Sequence, residues 1–122
     1  MAEKMICRGS IIIVRYPFTD LSGFKLRPAV VVTPDDLLSV LDDVLCAFVT
    51  TVIPDKTLPT DLIITTDHSD FAATGLKTIS LIRAHKLALL HKSLVQRHLG
   101  NVSKSLLEQL DARLKKAVGI SE

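Results

Sequence analysis

The sequence has no tryptophan, one tyrosine and four phenylalanines, and these do not interleave with basic residues, so a dedicated stacking platform for single strands is not expected. The five glycines are scattered, without a phosphate-cradling P-loop or a GxGxxG run, which disfavours nucleotide-dependent chemistry. No serine sits in a GxSxG elbow, which disfavours covalent hydrolysis. The longest apolar stretches, such as Ile11 to Val14 and Ala29 to Val32, fall far short of the roughly 18 residues that span a bilayer. Met1 to Arg8 carries Glu3 and Lys4 and lacks the apolar core and cleavage site of a signal peptide, so a cytoplasmic location and no membrane contact are expected.

Only two cysteines are present, Cys7 and Cys46, and Cys46 lies in an apolar run where a small buried thiol is the ordinary occupant. Reduced, structural cysteines are expected. His68, His85, His91 and His98 complete a set of possible ligands, but none falls into a close-spaced Cys/His or HExxH pattern, so no metal and no other cofactor is expected.

What is there suits one small domain over residues 1–122: the chain is 48% apolar, enough for a core but too short for a second unit of ordinary size. Fifteen Lys and Arg against thirteen Asp and Glu give a formal charge of +2, so any nucleic-acid site must come from local charge.

Short strands broken by turn residues fill the first two thirds, which predicts a mostly β (α+β) fold. Ser10 to Tyr16 is the first strand, ended by Pro17, which has no N–H to donate. Phe18 to Leu26 reads as an exposed loop, with Arg27 at the junction where Arg27 to Thr33 opens the second strand. A helical turn is expected over Leu37 to Leu41, with Pro34 suited to a first helical position. Further strands are expected over Val44 to Val52, Asp61 to Thr66 and Thr78 to His85. In the last of these, period-two alternation puts Arg83 and His85 on one face. Leu106, Leu107, Leu110, Leu114, Ala117 and Val118 make the apolar stripe of a C-terminal amphipathic helix, with Ser103 as N-cap, Lys115 and Lys116 near its C-terminus, and Gly119 closing it.

The polar residues left over by this pattern suit phosphodiester cleavage by the 2′-hydroxyl of RNA itself. Such a reaction needs a base near the 2′-oxygen, an acid near the leaving 5′-oxygen and fixed positive charge on the phosphate. Arg27 offers a permanently charged fork, Thr50 a hydroxyl, and His85 a group that titrates near neutrality. Spacing alone does not establish that they converge.

Several segments together resemble the MazF/PemK (Kid-like) toxins of type II toxin–antitoxin systems. They are Arg8-Gly9-Ser10-Ile11-Ile12, Tyr16-Pro17-Phe18-Thr19-Asp20-Leu21-Ser22-Gly23-Phe24-Lys25-Leu26-Arg27-Pro28, Ala29 to Val32, Ala47-Phe48-Val49-Thr50, Gly75 to Arg83, Lys92-Ser93-Leu94 and Leu99-Gly100. The proline-to-proline loop segment is the most specific of them. The resemblance implies an SH3-like, partly closed β-barrel with a C-terminal helix and one or two short helical turns. It also implies a homodimer that binds single-stranded RNA, cuts it at short sequences without a metal to leave a 2′,3′-cyclic phosphate, and is silenced by a cognate antitoxin protein.

By the same resemblance the family's catalytic arginine falls on Arg27 and its threonine on Thr50, with Thr51 as the register alternative. An Arg-x-Asp pair of the Kid branch falls on Arg83 and His85. The arginine is matched and the aspartate is not. A carboxylate that many relatives carry in the first loop is also missing, where this chain has Leu21-Ser22, and Asp20 is the nearest substitute. Asp20, Ser22, Gly23, Lys25 and Thr51 are the expected RNA-binding positions. Two alternatives stay open: a protein-binding toxin of the same fold, such as one that poisons gyrase, and a catalytically weak member that binds RNA.

Overall fold

The computed structural model describes residues 6–17 and 22–121. Strands β1 (Ser10–Pro17), β2 (Phe24–Val31), β3 (Asp43–Thr50), β4 (Asp61–Ile64), β5 (Ser80–His91) and β6 (Val95–Asn101) form one six-stranded antiparallel sheet in the order β4-β5-β3-β2-β1-β6. The sheet is not closed, since β4 and β6 remain edges. Helix α1 (Asp35–Leu38) links β2 to β3, helix α2 (Lys104–Ala117) follows β6, and 3-10 turns at Ala72–Thr74 and Lys92–Leu94 bracket β5. The mostly β expectation with a C-terminal helix therefore holds. No helix among the described residues is long and apolar enough to cross a membrane.

The continuous apolar runs are explained by burial on both sides of the central strands. Ile11, Val30, Ala47, Leu62, Ile64, Ile82 and Ala84 pack with Leu106 and Leu110 of α2, while Ile12, Val14, Ala29, Val31, Val44, Cys46 and Leu90 pack with Leu38 of α1 on a second cluster. Ser103 caps α2 by accepting the Leu106 N–H at 3.1 Å, and Gly119, at φ 80°, ends it in the left-handed conformation. Arg8 ties α2 to the sheet: its guanidinium donates to both carboxylate oxygens of Asp111, at 2.6 and 3.2 Å, and to the Val32 carbonyl at 2.9 Å.

The ends of several elements differ from the sequence expectation: β3 covers Asp43–Thr50, β4 stops at Ile64 and β5 starts at Ser80, and four further differences bear on the site. β2 begins at Phe24, because Phe24 to Leu26 pair with Pro17 to Arg15 in an extended hairpin, so Arg27 lies inside a strand and not at a loop junction. The turn of α1 covers Asp35–Leu38 with Pro34 as its extended N-cap, a few residues earlier than expected. β5 runs six residues past His85, and β6 was not expected at all. β6 is a half-exposed edge strand carrying Gln96, Arg97 and His98, a composition that hides a strand from apolar periodicity.

Candidate functional site

Two interruptions of the sheet create the site. β2 pairs with β3 only through Ala29↔Phe48, Val30↔Ala47 and Val31↔Cys46, and Pro28 sits where β2 has a partner on one side alone. Continued two residues outward, this register sets Arg27 opposite Thr50. On the other side of β3, pairing with β5 steps from Ala47↔Leu87 to Val49↔Ile82. Residues 83–86 thus have no β3 partner and bulge away, and Arg83 pairs instead with Asp61 of β4. Bulges of this kind re-aim side chains.

Between these gaps lies a groove of about 340 Å³ lined by Tyr16, Arg27, Phe48, Val49, Thr50, Val52, Pro54, Arg83 and Lys86. Its charged lining is cationic throughout: two arginines and a lysine with no carboxylate. The local field required by a nearly neutral chain is found here.

Arg27 is exposed, and its guanidinium carbon lies 6.0 Å from the centre of the Tyr16 ring. Tyr16 in turn meets Phe48 edge-on, with ring centres 5.1 Å apart. No carboxylate among the described residues pairs with Arg27, so its fork is left to a ligand. Thr50 closes β3, and its Oγ1 accepts the Val52 N–H at 3.1 Å, which leaves the hydroxyl proton for donation into the groove.

Arg83 is held from behind. Its Nε donates to Asp61 Oδ1 at 3.0 Å and its Nη2 to Asp61 Oδ2 at 3.3 Å, while the Asp61 side chain is wholly buried. Asp61 Oδ2 also accepts the Leu58 N–H at 2.8 Å, and the Asp61 carbonyl accepts from Arg113 Nε of α2 at 2.8 Å. Burial opposes ionisation of Asp61. The Leu58 N–H bond, the bonding and charge of Arg83 and the charge of His85 outweigh it and hold the carboxyl below its ordinary range.

His85 shares the Arg83 side of β5 but does not line the groove. It is exposed, with Nδ1 2.6 Å from Thr60 Oγ1. The structure therefore brings Arg27, Thr50 and Arg83 together and leaves His85 beside them. Thr51, Ser22, Gly23 and Lys25 are exposed and outside the groove lining, and Asp20 lies outside the described residues. Among the described residues no three His, Cys, Asp or Glu side chains cluster closely enough to hold a metal ion.

A family model described as PemK-like, MazF-like toxin of type II toxin-antitoxin system matches residues 7–118. The chain belongs to this family. Solved MazF structures share its fold at low identity. An endoribonuclease from a mycobacterial species, solved in complex with its cognate antitoxin, superposes with a TM-score of 0.76 at 20% identity over 97% of this chain and 99% of that one. The Mycobacterium tuberculosis toxin MazF-mt6 gives 0.70 at 20% identity over 91% and 99%. A MazE–MazF structure from Deinococcus radiodurans gives 0.73 at 18% identity over 97% and 100%. Curated protein sequences give no match.

Sequence reasoning did not single out Tyr16, Phe48, Lys86 or Asp61 as site residues in this MazF-like fold. Tyr16 opens the most specific family segment and Phe48 lies two residues before Thr50, so proximity to those positions was the available signal. For Asp61 there was none, because its importance depends on which residue of β5 it faces.

Proposed function

We propose that this MazF-like toxin is a sequence-specific, metal-independent endoribonuclease that cleaves single-stranded RNA. The observation that carries this reading is the convergence of Arg27, Thr50 and Arg83 on one cationic groove whose charged lining includes no acid. A scissile phosphate seated there meets two guanidinium groups and a hydroxyl donor. In the reaction, the 2′-oxygen attacks phosphorus and gives up its proton to a base, while the bond to the 5′-oxygen breaks and that oxygen gains a proton from an acid. The products are a 2′,3′-cyclic phosphate and a free 5′-hydroxyl. Negative charge builds on the non-bridging oxygens, where Arg27 and Arg83 face it. His85, with Nε2 unpartnered among the described residues and Nδ1 held by Thr60, is the group assigned to proton transfer.

Ser22, Gly23, Lys25 and Thr51, which are exposed, together with Asp20, are assigned to contacts with flanking nucleotides. The toxin acts as a cytoplasmic homodimer and is silenced by a cognate antitoxin, a reading supported by the family and by the antitoxin complexes of the mycobacterial and Deinococcus relatives.

Incubating the purified protein with a long unstructured RNA in EDTA and sequencing the 5′ ends of the fragments tests this. Discrete 5′-hydroxyl ends at one recurring short sequence are expected. A second reading, a weak member that only binds RNA, is favoured by the position of His85, the group assigned to proton transfer, outside the groove lining, and tight RNA binding with no fragments would select it.

A further inference from the structure

Arg83 and His85 are two residues apart on β5, and each is held by one of two consecutive residues at the head of β4. Asp61 grips Arg83 through two hydrogen bonds, and Thr60 meets His85 Nδ1 at 2.6 Å. Backbone pairing locks the register of this four-residue arrangement, with Asp61 opposite Arg83 and the Ala84 N–H donating to the Thr60 carbonyl at 3.0 Å. We propose that Thr60 and Asp61 are the positioning residues of the cleavage site, a β4 clamp that fixes the guanidinium and the imidazole which β5 sends to the phosphate. The inference rests on the ribonuclease reading and concerns residues that the family resemblance did not mark.

The clamp is needed because of the bulge. Residues 83–86 have no β3 pairing partner, so no ladder on that side fixes where Arg83 and His85 point. A free arginine side chain samples many rotamers, and catalysis suffers when a charged group is displaced by even about 1 Å. The bidentate bond consumes Nε and one Nη2 hydrogen of Arg83 and leaves Nη1 available towards the groove that Arg83 lines. Thr60 likewise occupies Nδ1 of His85 and leaves Nε2 as the atom that can exchange a proton with RNA. Asp61 is itself anchored, by the Leu58 N–H on its carboxylate and by Arg113 of α2 on its carbonyl, so the clamp is referenced to the helix as well as to the sheet. Its side chain is fully buried behind Arg83, so it acts on RNA only through that residue.

Steady-state cleavage by full-length Asp61→Asn and Thr60→Val, each alone and combined with Arg83→Ala or His85→Ala respectively, tests the proposal. Asp61→Asn keeps the shape and removes the charge, and its kcat is expected to fall about tenfold with KM changed less than about twofold, since an interaction that orients a transition-state group acts mainly on kcat. In the Arg83→Ala background the same change should cost nothing further, because its effect passes through the arginine. Thr60→Val should lower kcat about threefold and cost nothing further beside His85→Ala. A purely structural role would instead add its loss in both backgrounds. Asp61→Glu, which keeps the charge, is expected to recover part of the rate lost in Asp61→Asn. Should Asp61→Asn fail to fold, the Thr60 cycle decides, since Thr60 is not part of the buried ion pair. Parental rates in Asp61→Asn and Thr60→Val, or losses that multiply in the double variants, would overturn the clamp while leaving the ribonuclease reading intact. A parental protein that cuts no RNA would overturn both.

Discussion

Asp61 and Arg83 are cross-strand partners in β4 and β5, and their side chains complete the pairing with a bidentate ion pair in which the acid is wholly buried and the base is 22% exposed. The carboxyl titrates below its ordinary range in the folded protein, because the Leu58 N–H, Arg83 and His85 together outweigh the desolvation that would raise it. A lowered folded pKa contributes stability that is present above the unfolded value of about 3.9 and is lost as pH falls through the folded value. The urea midpoint should therefore drop as pH is lowered below about 4. In Asp61→Asn that acid-dependent component should be absent, and at neutral pH the variant should be less stable by about 2 kcal/mol, the cost of removing a charged hydrogen-bond partner. An unchanged acid dependence in the variant would contradict the assignment.

The two thiols should differ sharply in reactivity. Burial pushes the Cys46 thiol up to about 12, whereas Cys7 is exposed. Iodoacetamide at neutral pH should therefore modify Cys7 in the folded protein and Cys46 only after denaturation, as read by mass spectrometry. Because the unfolded thiol ionises near pH 9 and the folded one does not, this group favours the fold below that pH and loses its contribution as pH rises further.

Gly100 should tolerate no side chain. An added Cβ would stand 2.3 Å from the Ala73 carbonyl oxygen and 2.5 Å from the Thr74 carbonyl carbon, both backbone atoms of the 3-10 turn that crosses β6. Gly100→Ala should cost about 2–4 kcal/mol by thermal or urea unfolding, because backbone must move to make room. Gly119→Ala, whose Cβ would meet nothing within 4 Å, should cost only the strain of its φ of 80°, about 1 kcal/mol.

Much of this architecture was legible in the sequence where the signal was local. Ile11 to Val14 and Ala29 to Val32 announced buried strands, and the stripe from Leu106 to Leu114 behind Ser103 announced a capped helix, because periodicity and capping act within a few residues. Arg27 and Thr50 were candidates through the family segments around them, and the groove they share appears only in the fold. What was not legible depends on register between distant strands. The bulge at residues 83–86 needs the β3 partners of β5, and the role of Asp61 needs Arg83 opposite it, twenty-two residues along the chain. The aromatic contribution was also understated by composition: Tyr16 and Phe48 lie far apart in sequence, yet their rings meet beside Arg27.

If Arg27 acts on a phosphate in the groove it shares with Thr50 and Arg83, its removal must slow cleavage. The most direct test is the cleavage rate of an end-labelled, unstructured RNA in EDTA by the parental protein and by Arg27→Ala. The parental protein is expected to yield discrete fragments ending in a 2′,3′-cyclic phosphate, and the variant to be slower by about a hundredfold or more, the usual loss when a donor to a developing oxyanion is removed. Cleavage by Arg27→Ala at the parental rate would show that Arg27 does not act on the phosphate.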